Sequence, residues 1–291
     1  MSGARLVPPP TAARNRRIVS RLATFACGAS IVVALVPLAF VLFYILTRGF
    51  AALNWDFFTK LPKPTGETGG GMANAIVGSI KLIFIASAIA VPVGMLAGIH
   101  VAEYKGTPLA SSVRFAADVL NGIPSIVVGI FAYGLVVLPM KRFSAIAGGV
   151  ALAIMMVPII TRSTEELINL VPQSLREGGL ALGASRARVT FSIIVPAALP
   201  GILTGILVAV ARISGETAPL LFTALNNQFW SARLDQPTAS LTVQIYNYAL
   251  SPYDDYHRQA WAGALVLVSL VFLFSVLARV VTRKLERMNV G

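Results

Sequence analysis

The chain has 291 residues, of which 56% are hydrophobic and 12% charged, and its mean hydropathy is +0.76. Too few polar residues remain to cover a water-soluble globule, so that class of protein is excluded. The formal net charge of +12 does not indicate nucleic-acid binding, because the basic residues lie mostly between and beyond long apolar runs. The composition predicts one membrane domain.

Six apolar runs are long enough to cross about 30 Å of hydrocarbon as helices. The first, Leu22 to Leu46, is too long for the apolar core of a signal peptide and predicts an uncleaved span. The predicted spans are 22–46, 76–99, 115–138, 143–161, 199–224 and 259–281. The sequence therefore predicts an all-α membrane protein with a tail over 1–21, a six-span domain over 22–281 containing a long loop over 162–197, and a tail over 282–291.

The distribution of Lys and Arg indicates the orientation of these spans. With the N-terminus inside, fifteen of the 24 basic residues lie on the inner side, counting Arg279 at the inner end of the last span, and seven lie in outer segments. The positive-inside rule therefore predicts that both termini are cytoplasmic.

Several residues inside the spans have predicted packing or pairing roles. Gly94 with Gly98 and Gly201 with Gly205 are spaced to allow close helix packing within the chain. Lys81 is expected to extend its ammonium towards the outer surface. Near the start of the third span, Asp118, Asn121 and Arg114 are expected to make a local pair or helix-start contact.

Two outer segments, 47–75 and 225–258, are longer than simple connections. They contain Gly, Pro, Asn and several aromatic residues. They are interpreted either as surfaces that contact an external partner or as loops whose aromatic residues lie at the membrane interface.

The inner loop over 162–197 is too long for a turn between antiparallel helices. Pro172 suits the first turn of a helix, and the residues from Gln173 to Leu182 are mostly good helix formers. Gly183 is placed as a C-terminal cap and Ser185 as the N-cap of a second helix. The sequence predicts two short helices joined by a glycine bend.

This loop resembles the EAA signature of ATP-binding-cassette (ABC) importer permeases, which reads E-A-A, three residues, G, nine residues, I-x-L-P. The matching positions are Glu177, Gly178, Gly179, Gly183, Ile193 and Pro196, with glycines replacing both alanines and Val195 replacing the leucine. The resemblance implies a type I importer permease whose first short helix docks on a cytoplasmic ATPase. The two glycines are expected to make that helix less rigid, by about 0.5–1 kcal/mol each relative to alanine.

Arg212, near the middle of the fifth predicted span, is the deepest charged residue. A guanidinium at the bilayer centre costs about 2.5–3.5 kcal/mol on insertion scales, so it requires a counter-charge. Glu216, four residues later and predicted to share a helix face, is one candidate. An anion crossing the membrane is the other, since the fork of arginine matches phosphate oxygens.

The run from Arg212 through Glu216 and Thr217 to Leu220 resembles the span-five motif of phosphate-importer permeases of the PstA type. Further matches are Asn121 to Gly129 and Gly69 to Gly78. The resemblance implies a substrate pathway containing Arg212, Glu216 and Thr217, and a place in a bacterial inner membrane. It also implies three partners: a PstC-type second permease, an ATPase dimer and an external phosphate-binding protein.

Other classes of membrane protein fit less well. A secondary transporter or channel needs no ATPase-docking helix, and no sequence motif of an intramembrane metalloprotease or serine hydrolase is present. The sequence also lacks a phosphate-binding loop of the G-x4-G-K-S/T type, so the chain is expected not to hydrolyse ATP, and no catalytic residue, metal or cofactor is predicted. An ABC permease for sulfate, molybdate or another solute remains the alternative.

Overall fold

The computed structural model describes the chain from Pro10 to Asn289, with side chains described over 16–280 except at 17, 277 and 278. Of the predicted tails, residues 1–9 and 290–291 lie outside the described chain. The described residues form helices and their connections. The helices are α1 (Pro10–Ala52), α2 (Trp55–Thr59), α3 (Ala73–Glu103), α4 (Pro108–Gly122), α5 (Ser125–Ala132), α6 (Leu138–Met140), α7 (Ala145–Asn169), α8 (Gln173–Ala181), α9 (Arg186–Val189), α10 (Val195–Ser214), α11 (Ala218–Thr223), α12 (Leu241–Ala249) and α13 (Asp254–Asn289). π-Helical turns at Tyr133–Val137 and Thr190–Ile194 join α5 to α6 and α9 to α10.

Five helical segments of the described chain are long and apolar enough to cross a membrane, and a bent pair makes six if it is counted as one span. They are α1, α3, α7, the continuous segment from Arg186 to Ser214, and the first part of α13. The prediction of an all-α membrane protein with about six spans is confirmed. Helix α7 extends to Asn169, so the loop predicted to begin at residue 162 begins as helix.

The third predicted span, 115–138, is not one helix. Helix α4 ends at Gly122, α5 begins at Ser125, and the two axes are bent by 109°. Pro124 disfavours a helical conformation of the residue before it, and Ile123 is extended with a ψ of 132°. The prediction of a single helix was therefore wrong here.

The fifth predicted span, 199–224, is also interrupted. Helix α10 ends at Ser214 and α11 begins only at Ala218. Pro219 has no N–H to donate to the carbonyl of Gly215, so a continuous helix would lose a hydrogen bond at this point. The break separates Arg212 from Glu216.

The core lies around α3, α7 and α10, where small residues allow the helices to approach closely. A Cβ built on Gly94 would lie 2.8 Å from the Cβ of Ile160, and one on Gly98 would lie 2.6 Å from the carbonyl oxygen of Thr161. Gly201 and Gly205 of α10 pack as closely against α7. Each pair therefore packs within the chain, as predicted.

The two ends of this bundle differ, and they are named here the α8 end and the α12 end after the short helices that lie there. At the α12 end, the segment 225–258 folds back over the starts of α3 and α7. The first N–H groups of α7 donate to backbone carbonyls of this segment. The N–H of Ala145 donates to Gln236 O at 3.0 Å, and that of Ile146 donates to Leu234 O at 3.1 Å. The ammonium of Lys81 donates to the carbonyl of Ser231. Helix α12, which the sequence did not predict, lies within this segment.

Candidate substrate pathway and coupling site

Arg212 lies in the last turn of α10, two residues before the helix ends, and its side chain is exposed on the surface of the chain. The predicted position near the middle of a span was therefore wrong. Thr204 and Val208, one and two turns earlier, are exposed along the same edge of the helix. The partial negative charge at a helix C-terminus favours a cation at this position.

Glu216 lies beyond the end of α10, so the prediction that it shares a helix face with Arg212 was wrong. Its backbone N–H donates to the carbonyl of Ile213 at 3.2 Å, and its carbonyl accepts a hydrogen bond from Oγ1 of Thr242 at 3.0 Å. No salt bridge among the described residues joins Arg212 to Glu216. The break after α10 is thus held in place by α12 while Arg212 extends away from it.

Thr217 stands at the N-cap of α11, and its carbonyl accepts a hydrogen bond from the N–H of Leu220 at 3.1 Å. Helix α11 packs against α5, where a Cβ built on Gly129 would lie 2.7 Å from the Cα of Pro219. The helices that follow the two breaks therefore touch each other. Interrupted helices that meet within a membrane bundle are a common way of building a substrate site.

The predicted motif near residue 183 folds as two capped helices at the α8 end. Gly183 has a φ of +78°, and its N–H donates to Leu180 O at 2.9 Å. The next N–H, that of Ala184, donates to Gly179 O at 3.3 Å, which completes a Schellman C-cap. Ser185 then caps α9 by accepting a hydrogen bond from the N–H of Arg188. The predicted bend and both caps are confirmed.

Gly178 and Gly179 have different surroundings. A Cβ on Gly178 would meet nothing within 4 Å. On Gly179 it would lie 2.9 Å from Cγ2 of Val189 and 3.0 Å from Cδ1 of Ile193. Gly179 is buried and allows α8 to pack directly on α9 and the π-turn, so it does more than soften the helix.

The remaining motif residues divide between packing and exposure. Ile193 is half-buried beneath α8, whereas Pro196 lies exposed in the first turn of α10. Glu177 is also exposed, as are Leu175 and Leu180, so α8 exposes both a carboxylate and apolar side chains. Such a surface is suited to docking against another protein.

Charged groups at the α12 end form an exposed cluster. The guanidinium of Arg233 donates two hydrogen bonds to Asp235, and this contact lowers the pKa of the Asp235 carboxyl below its usual range. Arg142 binds the same carboxylate at 2.8 Å. The α12 end therefore presents fixed charges to its surroundings.

Comparison with known proteins identifies the chain's relatives. The family of binding-protein-dependent transport system inner membrane components matches residues 90–287. The chain belongs to that family. It is 46% identical over 270 residues to the phosphate transport system permease protein PstA of Yersinia pestis, covering 92% of each chain. It is 44% identical to PstA of Haemophilus influenzae, covering 86% of this chain and 89% of that one.

Solved structures agree at the level of the fold. The chain resembles a permease chain in the crystal structure of a bacterial alginate ABC transporter, with a TM-score of 0.67 and 13% identity, over 92% of this chain and 96% of that one. The predicted type I importer architecture is confirmed. As a binding-protein-dependent permease, the chain is a non-enzymatic membrane subunit that works with a separate ATPase and a substrate-binding protein.

Two sets of ion pairs in this permease were not predicted from the sequence. Arg176 turns inward from α8 and contacts Glu103, and Glu165 is buried in α7 between Arg114 and Arg162. Asp118 pairs with Arg162 of α7 at 3.1 Å, so its partner is not the neighbouring Arg114. These partners lie many residues apart along the chain, and the only signal in the sequence was acidic residues at the predicted ends of spans.

Proposed function

We propose that this permease is one transmembrane subunit of an ATP-driven importer of inorganic phosphate in a bacterial inner membrane. The observation that carries the proposal is the 46% identity to a phosphate transport permease along 92% of the chain. Similarity over that length includes the pathway segment from Arg212 to Thr217 and the coupling loop together.

The surroundings of Arg212 support an anionic substrate. The guanidinium is exposed at the end of a membrane helix and has no salt bridge with a described residue of its own chain. The C-terminus of α10 favours a cation at this position, and the exposed N–H donors of the guanidinium can bind an anion from outside the chain. Phosphate is such an anion, because its oxygens accept the two parallel N–H donors of arginine. The Thr217 hydroxyl and Glu216, next to the helix break, complete the proposed pathway.

The proposed assembly has four kinds of subunit. A PstC-type permease covers the face that carries Arg212, so that the pathway runs between the two permeases. Two ATPase copies bind at the α8 end, and a phosphate-binding protein delivers its ion at the α12 end. The excess of Lys and Arg in segments at the α8 end supports a cytoplasmic position for that end and for both termini.

The coupling proposal follows the contacts of α8. Glu177, Leu175 and Leu180 present a docking surface to the ATPase. Movement of α8 passes through the tight contact of Gly179 with Val189 to the continuous helical segment that ends beside Arg212. Because a packed contact of this kind cannot compress, closure of the ATPase dimer reorients α10 and exposes Arg212 to each side in turn.

The test is ATP-dependent phosphate uptake into vesicles that contain the permease with its PstC-type partner, ATPase and binding protein. Arg212→Gln should assemble and hydrolyse ATP but lose at least tenfold in uptake. Arg258→Gln, the same charge change at another exposed arginine at the α12 end, should keep uptake within twofold of wild type.

Sulfate serves as the competitor in these vesicles. Uptake that is unaffected by excess sulfate supports a phosphate pathway. Equal transport of sulfate would contradict the phosphate assignment, and unchanged uptake by Arg212→Gln would remove Arg212 from the pathway.

A further inference from the structure

Helix α8 is attached to the membrane bundle by one inward-pointing arginine as well as by its apolar packing. The guanidinium of Arg176 donates through Nη1 to Oε1 of Glu103 at 2.5 Å and through Nη2 to the carbonyl of Ile168 at 3.2 Å. Its side chain is 16% exposed and that of Glu103 is 17% exposed. The next residue, Glu177, is exposed.

Arg176 reaches a different part of the bundle from Gly179. Glu103 is the last residue of α3, and Ile168 lies in the last turn of α7. These two helices pack tightly through Gly94 and Gly98 and form the centre of the core. Arg176 therefore connects the docking helix to the α3–α7 pair, whereas Gly179 connects it to α10.

The chemistry of this contact suits a mechanical link. Both side chains are largely shielded from water, so their attraction is screened less than that of a surface pair. The planar fork of arginine makes both contacts at once, which a single ammonium cannot reproduce with the same geometry. Removing either partner leaves the other charge shielded and unpaired, a change that shifted packing does not readily repair.

We propose that Arg176 is a positioning residue that makes α8, α3 and α7 move as one body when the ATPase closes. The proposal rests on the proposed transport function and adds a second route for the movement of α8, through Glu103 and Ile168. Without this link, α8 still docks on the ATPase and still contacts the segment leading to α10, but it moves independently of α3 and α7, so ATP hydrolysis is separated from transport.

The experiment compares phosphate moved per ATP hydrolysed in the reconstituted complex. Arg176→Gln and Glu103→Gln should assemble and keep at least half of basal ATP hydrolysis, yet lose at least tenfold in this ratio. Arg176→Lys keeps the charge but not the fork, so its ratio of phosphate moved to ATP hydrolysed should lie between that of the two Gln variants and that of wild type. The double variant Arg176→Glu with Glu103→Arg should have a ratio severalfold higher than either Arg176→Glu or Glu103→Arg alone. Lys105→Gln, an exposed neighbour, is the matched control and should leave the ratio unchanged.

A second measurement does not depend on the substrate. Spin labels at Ser174→Cys and Lys105→Cys, in a Cys27→Ala background, report the separation of α8 from the end of α3. The separation should stay constant between nucleotide-free and ATP-bound complexes with Arg176 present, and should change on ATP binding in Arg176→Gln. A constant separation in both proteins, or a parallel fall of uptake and hydrolysis, would overturn the proposal. Failure of the wild-type complex to move phosphate would contradict the transport function and leave the spin-label comparison standing.

Discussion

The two adjacent glycines of α8 differ in what surrounds them. Gly178 faces open space, and Gly179 faces Val189 and Ile193. Because successive helix residues point about 100° apart, one glycine is available for substitution and its neighbour is not. The absence of a side chain is therefore needed for packing at Gly179 but not at Gly178.

Gly178→Ala should stabilise α8 by about 0.5–1 kcal/mol, because alanine lowers the entropic cost of helix formation and meets no atom. Gly179→Ala brings the same gain but forces α8 away from Val189, at a cost of about 1–3 kcal/mol for an overpacked contact. Uptake should stay within twofold of wild type for Gly178→Ala and fall severalfold for Gly179→Ala, measured in the same vesicles.

Val189→Ala provides the control for this comparison. It removes Cγ2, the atom nearest the new Cβ at 2.9 Å, and Cγ1 at 3.3 Å, so the double variant Gly179→Ala with Val189→Ala should regain uptake over Gly179→Ala alone. Similar uptake by the Gly178→Ala and Gly179→Ala variants would show that the contact between α8 and α9 is not needed for coupling.

At the scale of single residues, features that depend only on neighbouring positions could be predicted from the sequence. The caps at Gly183 and Ser185 follow from residue preferences within a few positions, and both were predicted correctly. The pairing of Arg176 with Glu103 could not be predicted, because the two residues are 73 positions apart and their meeting depends on how α3, α7 and α8 pack. Likewise, the predicted pair of Arg212 and Glu216 assumed a helix that the Gly215–Pro219 segment interrupts.

Among the elements, α4 is held to α7 by charges rather than by apolar packing alone. The carboxylate of Glu165 is 5% exposed and binds Arg114 Nε at 2.9 Å and Arg162 Nη1 at 2.8 Å. Arg162 also binds Asp118, whose side chain is 52% exposed. The network thus has a shielded centre on α7 and an exposed edge on α4.

Glu165→Gln should lower the stability of the assembled complex by about 1–3 kcal/mol, because two partly shielded arginines lose their charged acceptor. Asp118→Asn removes an exposed carboxylate from the same network and should cost less than about 1 kcal/mol. The checks are the denaturation midpoint in detergent and hydrogen exchange along α4, which should rise selectively in Glu165→Gln. Equal effects of the two substitutions would show that burial of Glu165 does not determine the strength of the network.

The elements themselves were largely predictable and their interruptions were not. Apolar runs of about twenty residues indicated six spans because lipid requires that length. Pro124 and Pro219 break two of them, whereas Pro92 and Pro158 are accommodated inside α3 and α7. A proline is tolerated inside a membrane helix where its surroundings satisfy the freed backbone groups, and a single sequence does not contain that information.

At the scale of the whole molecule, the first helix is the least integrated. The apolar window of α1 has none of its residues buried within the chain, although Gly49 packs closely against Leu265 of α13. The two ends of the bundle also carry different charges, which is the basis of the predicted orientation. Both features concern how the chain sits in the membrane and among its partners.

Single cysteines test that orientation. In a Cys27→Ala background, Ser174→Cys at the α8 end and Gln228→Cys at the α12 end place one exposed thiol on each side. In right-side-out vesicles, a membrane-impermeant maleimide should label residue 228 at least tenfold faster than residue 174, and inverted vesicles should reverse the ratio. Labelling of residue 174 from outside would reverse the predicted topology.

The hydrogen bonds at the start of α7 also constrain the order in which the structure can form during synthesis. Ala145 and Ile146 are bonded to the carbonyls of Gln236 and Leu234, residues that leave the ribosome about 90 positions later. At about 5–20 residues per second, those partners arrive roughly 5–20 s after the groups they satisfy. The start of the fourth span therefore reaches its final hydrogen-bond partners only after the fifth span has been made, and until then water or other groups must satisfy these N–H donors.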